Sequence, residues 1–261
     1  MMQALLQIIF GTSRATAPGL PFTLPKPDRP ICLIGDVHGR YDLLQNLLAV
    51  FETQPGAAQG RLIFLGDMID RGPNSAAVLD RLHHLAGTAP SRVICLMGNH
   101  ERMLLDFLDQ PDRKGLLWLH NGGAETLTSF GVALRVPEGA AALNFSAIAT
   151  QLRAALPPGL ETWLRELPLS WQEGQVAATH AGADPALPIE KQTEQVLLWG
   201  HRDFARIPRH DGIWVVHGHV IFDRAWIAPG RIAVDTGAWH SGRLSAAWLD
   251  GQGLRFLEVT G

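Results

Sequence analysis

Three polar loops constrain this chain more than any other feature, each placed after a short apolar run and followed by an amphipathic stretch. The runs are Ile31 to Ile34, Leu62 to Leu65 and Val93 to Met97. Helical spacing of apolar residues follows each, over about Tyr41 to Phe51, Ser75 to Leu85 and Glu101 to Leu108. Asp36, Asp67 and Asn99 open the loops, 31 and 32 residues apart, close to the length of one βαβ unit. Parallel strands joined by right-handed crossovers would bring all three loops to one sheet edge. That edge is where open α/β sheets place their ligands.

From 110 to 172 the pattern changes. Gly122-Gly123, Pro157-Pro158 and helical patterns over about Asn144 to Leu156 and Leu160 to Leu167 predict a helical insertion or cap. Strand patterns return at Val176 to Thr179, Ile213 to His217, Ile232 to Asp235, Leu244 to Leu249 and Leu254 to Val259, the last two reading as a hairpin across Asp250 to Gly253. We therefore expect one α/β domain over 29–261, with 1–28 as an extended lead-in in which Pro18, Pro21, Pro25, Pro27 and Pro30 forbid helix. The apolar stretch Ala4 to Phe10 carries no Lys or Arg before it, so a short docking helix is expected in preference to a cleaved signal.

Composition narrows the partners. Apolar residues make up 46% and charged residues 18%, a globular balance that excludes a disordered polymer. A formal charge of -3, from 22 basic against 25 acidic residues, argues against a broad nucleic-acid-binding face. No apolar stretch reaches the about 18 residues of a membrane span. Only Lys26, Lys114 and Lys191 are lysines, and the many arginines are read as surface. Cys32 and Cys95 are too few for a disulfide framework, so a reduced, cytoplasmic setting is expected.

The loops carry Asp36, His38, Asp67, Asp70, Arg71, Asn99 and His100, and two later strand ends carry His180, His217 and His219. Taken singly, Gly-Asp and Gly-Asn are turn formers, and a lone His is an ordinary hydrogen-bonding residue. Five such segments in strand-end phase share no structural purpose, whereas carboxylate, imidazole and amide oxygen together suit Mn²⁺, Fe or Zn²⁺. An all-oxygen set would suit Mg²⁺ or Ca²⁺. A phosphocysteine mechanism is excluded, because the position six after Cys32 is His38 and that after Cys95 is Glu101. No P-loop is present.

These segments, G-D-V-H-G-R (35–40), G-D-M-I-D-R-G (66–72), G-N-H-E (98–101), H-A-G (180–182) and H-G-H (217–219), resemble the phosphoprotein phosphatase branch of the calcineurin-like metallophosphoesterases over about Arg29 to Leu249. The resemblance implies a four-layer α/β/β/α double β-sandwich, two divalent ions with Mn²⁺ foremost, and phosphomonoester hydrolysis by a metal-bridging hydroxide. By the same resemblance Asp36 and His38 would hold one ion, Asp67 would bridge, and Asn99, His180 and His219 would hold the other. His219 is chosen over His217 because it follows Gly218, with the reverse kept open. Val220 stands where relatives often have Thr. His100 would be the acid that protonates the leaving oxygen, Asp70 its orienting partner, and Arg71 a phosphate clamp assisted by Asn99. Arg202, displaced by one residue after Leu197-Leu198-Trp199, would be a second clamp. Trp239 and His240 match a loop overhanging the site, with packing as the other reading.

Within that family, Asp70-Arg71 and Glu101 follow the Ser/Thr protein phosphatase pattern. The dinucleoside tetraphosphatases that the chain resembles more distantly lack that Asp-Arg pair and end the third loop with Asp. A phosphorylated protein or peptide is therefore the expected substrate, with a dinucleoside polyphosphate or other small phosphoester as the alternative. A non-catalytic scaffold is disfavoured because no ligand position is lost.

Overall fold

The computed structural model describes residues 22–136 and 142–261. The expected docking helix at Ala4 to Phe10, with Pro18 and Pro21, lies outside the described residues. From 23 to 30 the chain runs without helix or strand, and Phe22 is anchored edge-on against Trp214 at 5.5 Å.

The βαβ phase appears as β1 (Ile31–Ile34), α1 (Tyr41–Glu52), β2 (Arg61–Phe64), α2 (Ser75–Thr88), β3 (Val93–Cys95) and α3 (Asn99–Asp109). Strand β2 pairs parallel with β1 (Ile31 opposite Arg61) and with β3 (Leu62 opposite Val93). The C-terminal hairpin, β9 (Arg243–Asp250) and β10 (Gly253–Thr260), adds antiparallel to β1, for an order β10-β9-β1-β2-β3. A second mixed sheet has the order β4 (Ser170–Glu173), β5 (Val176–Thr179), β6 (Trp214–His217), β8 (Arg231–Ala233), β7 (Trp226–Ala228).

Strand β1 is apolar at every position because both its faces are buried. Cys32 and Ile34 join the cluster of Leu44, Leu47, Phe64, Leu79, Leu104 and Trp248 under the helices. Ile31 and Leu33 join Ile63, Val176, Trp214, Val216 and Ile232, which come from both sheets and fill the space between them. Truncating a side chain such as Leu33 to Ala there would cost about 2–5 kcal/mol. A smaller cluster of Ala177, Ala183, Ile189, Phe204 and Val215 covers the outer face of the second sheet. Both cysteines are free and buried.

Between the sheets in sequence lie α4 (Pro111–Trp118), α5 (Ala124–Ser129), α6 (Phe145–Ala155) and α7 (Leu160–Arg165). The last two match the expected patterns. The first two went unread because Gly115, Gly122 and Gly123 resemble helix breakers. Here Gly115 and Gly123 are contact points, where added Cβ atoms would strike Phe145 and Trp118. Gly122, at φ +100°, turns the chain inside the π-helical link 119–123. The insertion ends earlier than expected, since β4 begins at Ser170 and pairs antiparallel with β5. That strand reads Ser, Trp, Gln, Glu without an apolar run, whereas β7 is apolar but only three residues long, Trp226-Ile227-Ala228. Two further short helices, α8 (Glu194–Trp199) and α9 (Ala238–Ser241), complete the described chain.

Candidate metal centre

The loops after β1 and β2, the start of α3, and the ends of β5 and β6 deliver the expected side chains to one place. Among the described residues, the non-glycine residues with left-handed backbone are His38, Asp67, Asp70, Arg71 and His219, at φ 43° to 69°. All five belong to these loops. Such conformations cost about 1–3 kcal/mol each and persist only where surrounding structure enforces them. At Asp67 the enforcing group is Glu101, whose buried carboxylate accepts the backbone N–H groups of Asp67 (2.8 Å), Met68 (2.8 Å), Ile69 (3.3 Å) and Gly98 (3.0 Å). Burial and the nearby Asp67 carboxylate push Glu101 up to about 7. Glu101 is assigned no role in the site by the family resemblance. Its signal was a Glu at the third helical position after Gly98, where a side chain reaches back to cap. Gly98 itself has no room for a side chain, since a Cβ would run into Asp67.

Ring orientation is set from behind. His38 Nδ1–H donates to the Ile69 carbonyl (2.7 Å) and His180 Nδ1–H to the Leu65 carbonyl (2.9 Å). A carbonyl can only accept, so both rings turn a bare Nε2 toward Asp67 Oδ2, each at 3.5 Å. Asn99 Oδ1 lies 2.8 Å from His180 Nε2 and 3.0 Å from His219 Nδ1. With both atoms as acceptors, a cation held between His180 Nε2 and Asn99 Oδ1 would satisfy so close an approach. Two groups able to hold an ion result, His38 with Asp67 and His100, and Asp67 with His180 and His219. Asp67 is common to both.

Burial lowers His38 to about 3, His219 to about 4 and also lowers His180, leaving neutral rings suited to metal ligation. Burial alone would raise Asp67, but the imidazoles of His180, His100 and His38 outweigh it and hold the carboxylate low. The donor set thus fits divalent ions that accept oxygen and nitrogen together.

Asp36 sits at the margin, in neither three-residue group. Its carboxylate accepts the His219 backbone N–H (3.1 and 3.2 Å), and burial with the neighbouring Asp235 carboxyl raises its pKa well above the usual range. Gly218 is required here because any side chain would strike Asp36. His219, not His217, joins the cluster. The His217 ring packs instead on Phe204 at 5.0 Å, with its Nε2 buried and unpartnered.

His100 differs from the other histidines in what stands behind it. Its Nδ1–H donates to Asp70 Oδ2 (2.7 Å) while Nε2 faces Asp67 Oδ2 at 3.8 Å. Burial opposes charge on this ring, yet the carboxylates of Asp67 and Asp70 prevail and raise its pKa. Asp70 is fixed in turn by the Trp118 indole N–H (3.0 Å) and the Thr126 hydroxyl (2.7 Å). Both lie C-terminal to the third loop, and nothing local marks a Trp or Thr that serves a loop 48 or 56 residues earlier.

Arg71 lies beside this pair, its amide donating to Gly122 O (3.1 Å) and its guanidinium 5.3 Å above the Trp239 ring. Among the described residues it forms no ion pair. Trp239 is 39% exposed. Arg202, expected as a second clamp, is not brought to the cluster. Its side chain is 86% exposed and lies 3.6 Å from Asp203. The one-residue displacement after Trp199 moves it out of the site, and nearby Arg209 is buried and occupied by the carbonyls of Asp184 and Leu187.

The calcineurin-like phosphoesterase family model matches residues 29–223. The asymmetrical bis(5'-nucleosyl)-tetraphosphatase PrpE of Halalkalibacterium halodurans is 27% identical over 250 residues, 87% of this chain and 90% of its own length. Serine/threonine-protein phosphatase 2 of Escherichia coli is 28% identical over 228 residues, 83% and 91% of the two chains. A solved protein serine/threonine phosphatase from Saccharomyces cerevisiae superposes with a TM-score of 0.59 at 16% identity, over 90% of this chain and 81% of that one, a likeness of fold.

Proposed function

The chain belongs to the calcineurin-like phosphoesterase family, and from that premise we propose that it is a phosphomonoesterase dependent on two divalent metal ions, Mn²⁺ foremost, and of the Ser/Thr protein phosphatase-like kind. Asp36, His38 and Asp67 hold one ion in this reading; Asp67, Asn99, His180 and His219 hold the other. Two ions so held would acidify water and neutralise charge on the phosphoryl oxygens. The observation that carries the reading is the contrast between rings. His38 and His180 rest on carbonyls and stay neutral, whereas His100 rests on Asp70 and favours the imidazolium.

His100 then serves as the proton donor to the leaving oxygen from Nε2, with Asp70 holding its tautomer. Arg71, without a carboxylate partner among the described residues, offers its planar fork to two phosphate oxygens, with its guanidinium over the Trp239 ring. The Asn99 amide N–H₂ is left to assist the same phosphate.

The substrate assignment is supported by Asp70-Arg71 and Glu101 and by the likeness to serine/threonine-protein phosphatase 2. The likeness to the asymmetrical tetraphosphatase over nine-tenths of that protein favours a second reading, dinucleoside polyphosphate hydrolysis. Neither substrate class requires a membrane partner, and among the described residues no helix is long and apolar enough to cross a membrane. A cytoplasmic setting accords with the two free, buried cysteines.

Initial rates on phosphoseryl peptides and on diadenosine tetraphosphate, before and after chelation and Mn²⁺ readdition, test the reading. Higher kcat/KM on the peptide, abolished by chelation and restored by Mn²⁺, is expected. Preference for the dinucleotide would establish the second reading. Two bound ions with no hydrolysis of either would make the protein a scaffold.

A further inference from the structure

The segment that follows α8 runs along the outer face of the second sheet, and one of its residues packs against both strand ends that carry His180 and His219. Trp199 meets the His219 ring edge-on at 6.3 Å. Five residues later, Phe204 is buried at 6% exposure. Its ring stands edge-on to His217 at 5.0 Å. It also occupies the space beside Gly182, where an added Cβ would lie 2.5 Å from the ring.

Gly182 is two residues after His180, and His217 is two residues before His219. The two strand ends are tied directly by the Gly218 N–H, which donates to the His180 carbonyl (2.9 Å). Phe204 is itself held at its carbonyl by the Arg231 guanidinium (2.6 Å). Farther along, Arg209 donates to the carbonyls of Asp184 (3.2 Å) and Leu187 (3.0 Å), fastening the segment to the loop beyond His180.

We infer that Phe204 is a positioning residue, an apolar buttress that braces the His180 and His219 loops from the outer face of the second sheet and thereby supports the affinity of one metal half-site. This rests on the reading that Asp67, Asn99, His180 and His219 hold one ion. Unlike Asp67, whose loop is latched by the Glu101 carboxylate, these two histidines have an apolar ring packed behind both of their loops. His180 keeps its own carbonyl bond to Leu65, so the ring bears on how the two loops stand and not on the tautomer. Removing the ring would leave a cavity into which both loops can relax, and His180 Nε2 and His219 Nδ1, now 3.1 Å apart, would no longer converge.

The test is Mn²⁺ titration of the chelator-stripped full chain by calorimetry, with His38→Ala and His219→Ala identifying which binding step belongs to which half. In Phe204→Ala the step lost in His219→Ala should weaken by roughly 10–100-fold, the range for residues that orient ligands from behind. The step lost in His38→Ala should stay within about twofold. Phe204→Leu, which refills most of the volume and is the safer variant to fold, should show a smaller loss confined to the same step. Two parent-like affinities in Phe204→Leu and Phe204→Ala would overturn the inference. So would an equal fall in both steps that follows a fall in Tm, because that is general loosening. A parent chain that binds no second Mn²⁺ would defeat the dinuclear reading instead.

Discussion

The two sheets supply their halves of the centre by different means. The first sheet contributes Asp36, His38, Asp67 and Asn99 from loops whose backbone is left-handed at His38, Asp67, Asp70 and Arg71, and the Asp67 loop and Gly98 are latched by four N–H bonds to the Glu101 carboxylate. The second contributes His180 and His219 from the ends of adjacent parallel strands, backed by Phe204 beside Gly182. One half is centred on a buried polar latch, and the other adds apolar packing to its own backbone bonds. Polar latches fix dihedral angles and tautomers, because each bond has a direction. Apolar packing fixes only separations.

The largest effect is expected where the halves meet. Asp67→Asn removes the one carboxylate facing His38, His100 and His180 together. Activity should fall on the order of 10³-fold or more, which corresponds to several kcal/mol of lost charge stabilisation. Metal analysis should show depletion of both ions. Retention of one full-affinity ion would break the comparison by showing that the halves do not share a ligand.

Within the first half, His100→Asn should keep both ions and lower kcat by about 10²–10⁴-fold on a seryl phosphate. The aryloxide of an aryl phosphate departs with little need of protonation, so the defect on that substrate should be smaller. Equal defects on the two substrates would remove the acid role, and loss of an ion would place His100 with His38 and Asp67 as a ligand. Glu101→Gln leaves the latched N–H groups imperfectly paired, which should cost about 1–3 kcal/mol and lower Tm by roughly 3–10 °C. If the polar latch is local to the first half, the step lost in His219→Ala should be the less affected one in a Mn²⁺ titration of that variant.

The smallest effect is expected from Arg202→Ala, on the second-sheet side. Its exposed ion pair with Asp203 contributes little, and KM should stay within about twofold. A clear rise in KM, with weaker inhibition by free phosphate, would return Arg202 to the site.

Local chemistry determined much of this. Strands buried on both faces must be apolar throughout, and a βαβ unit has a nearly fixed length, so the order and edge of Asp36, Asp67 and Asn99 could be read from Ile31 to Leu108 alone. Glycine before each acid or amide marked loops with no room for side chains. Strand β4 and helices α4 and α5 were not legible, because their residues satisfy neither period by themselves and become regular only on contact with β5 and Phe145. The same limit applies at the centre. Trp118 and Thr126 reach Asp70 from across the insertion, and Phe204 reaches Gly182 and His217 through the closing of two loops. Such contacts join residues far apart in sequence and leave no local pattern. Arg202 shows the converse, since the one-residue displacement visible in the sequence after Trp199 leaves its side chain facing water. Residue spacing determined which groups arrive at the sheet edge, while packing between the sheets and the insertion decided which are oriented, which are merely near, and which face away.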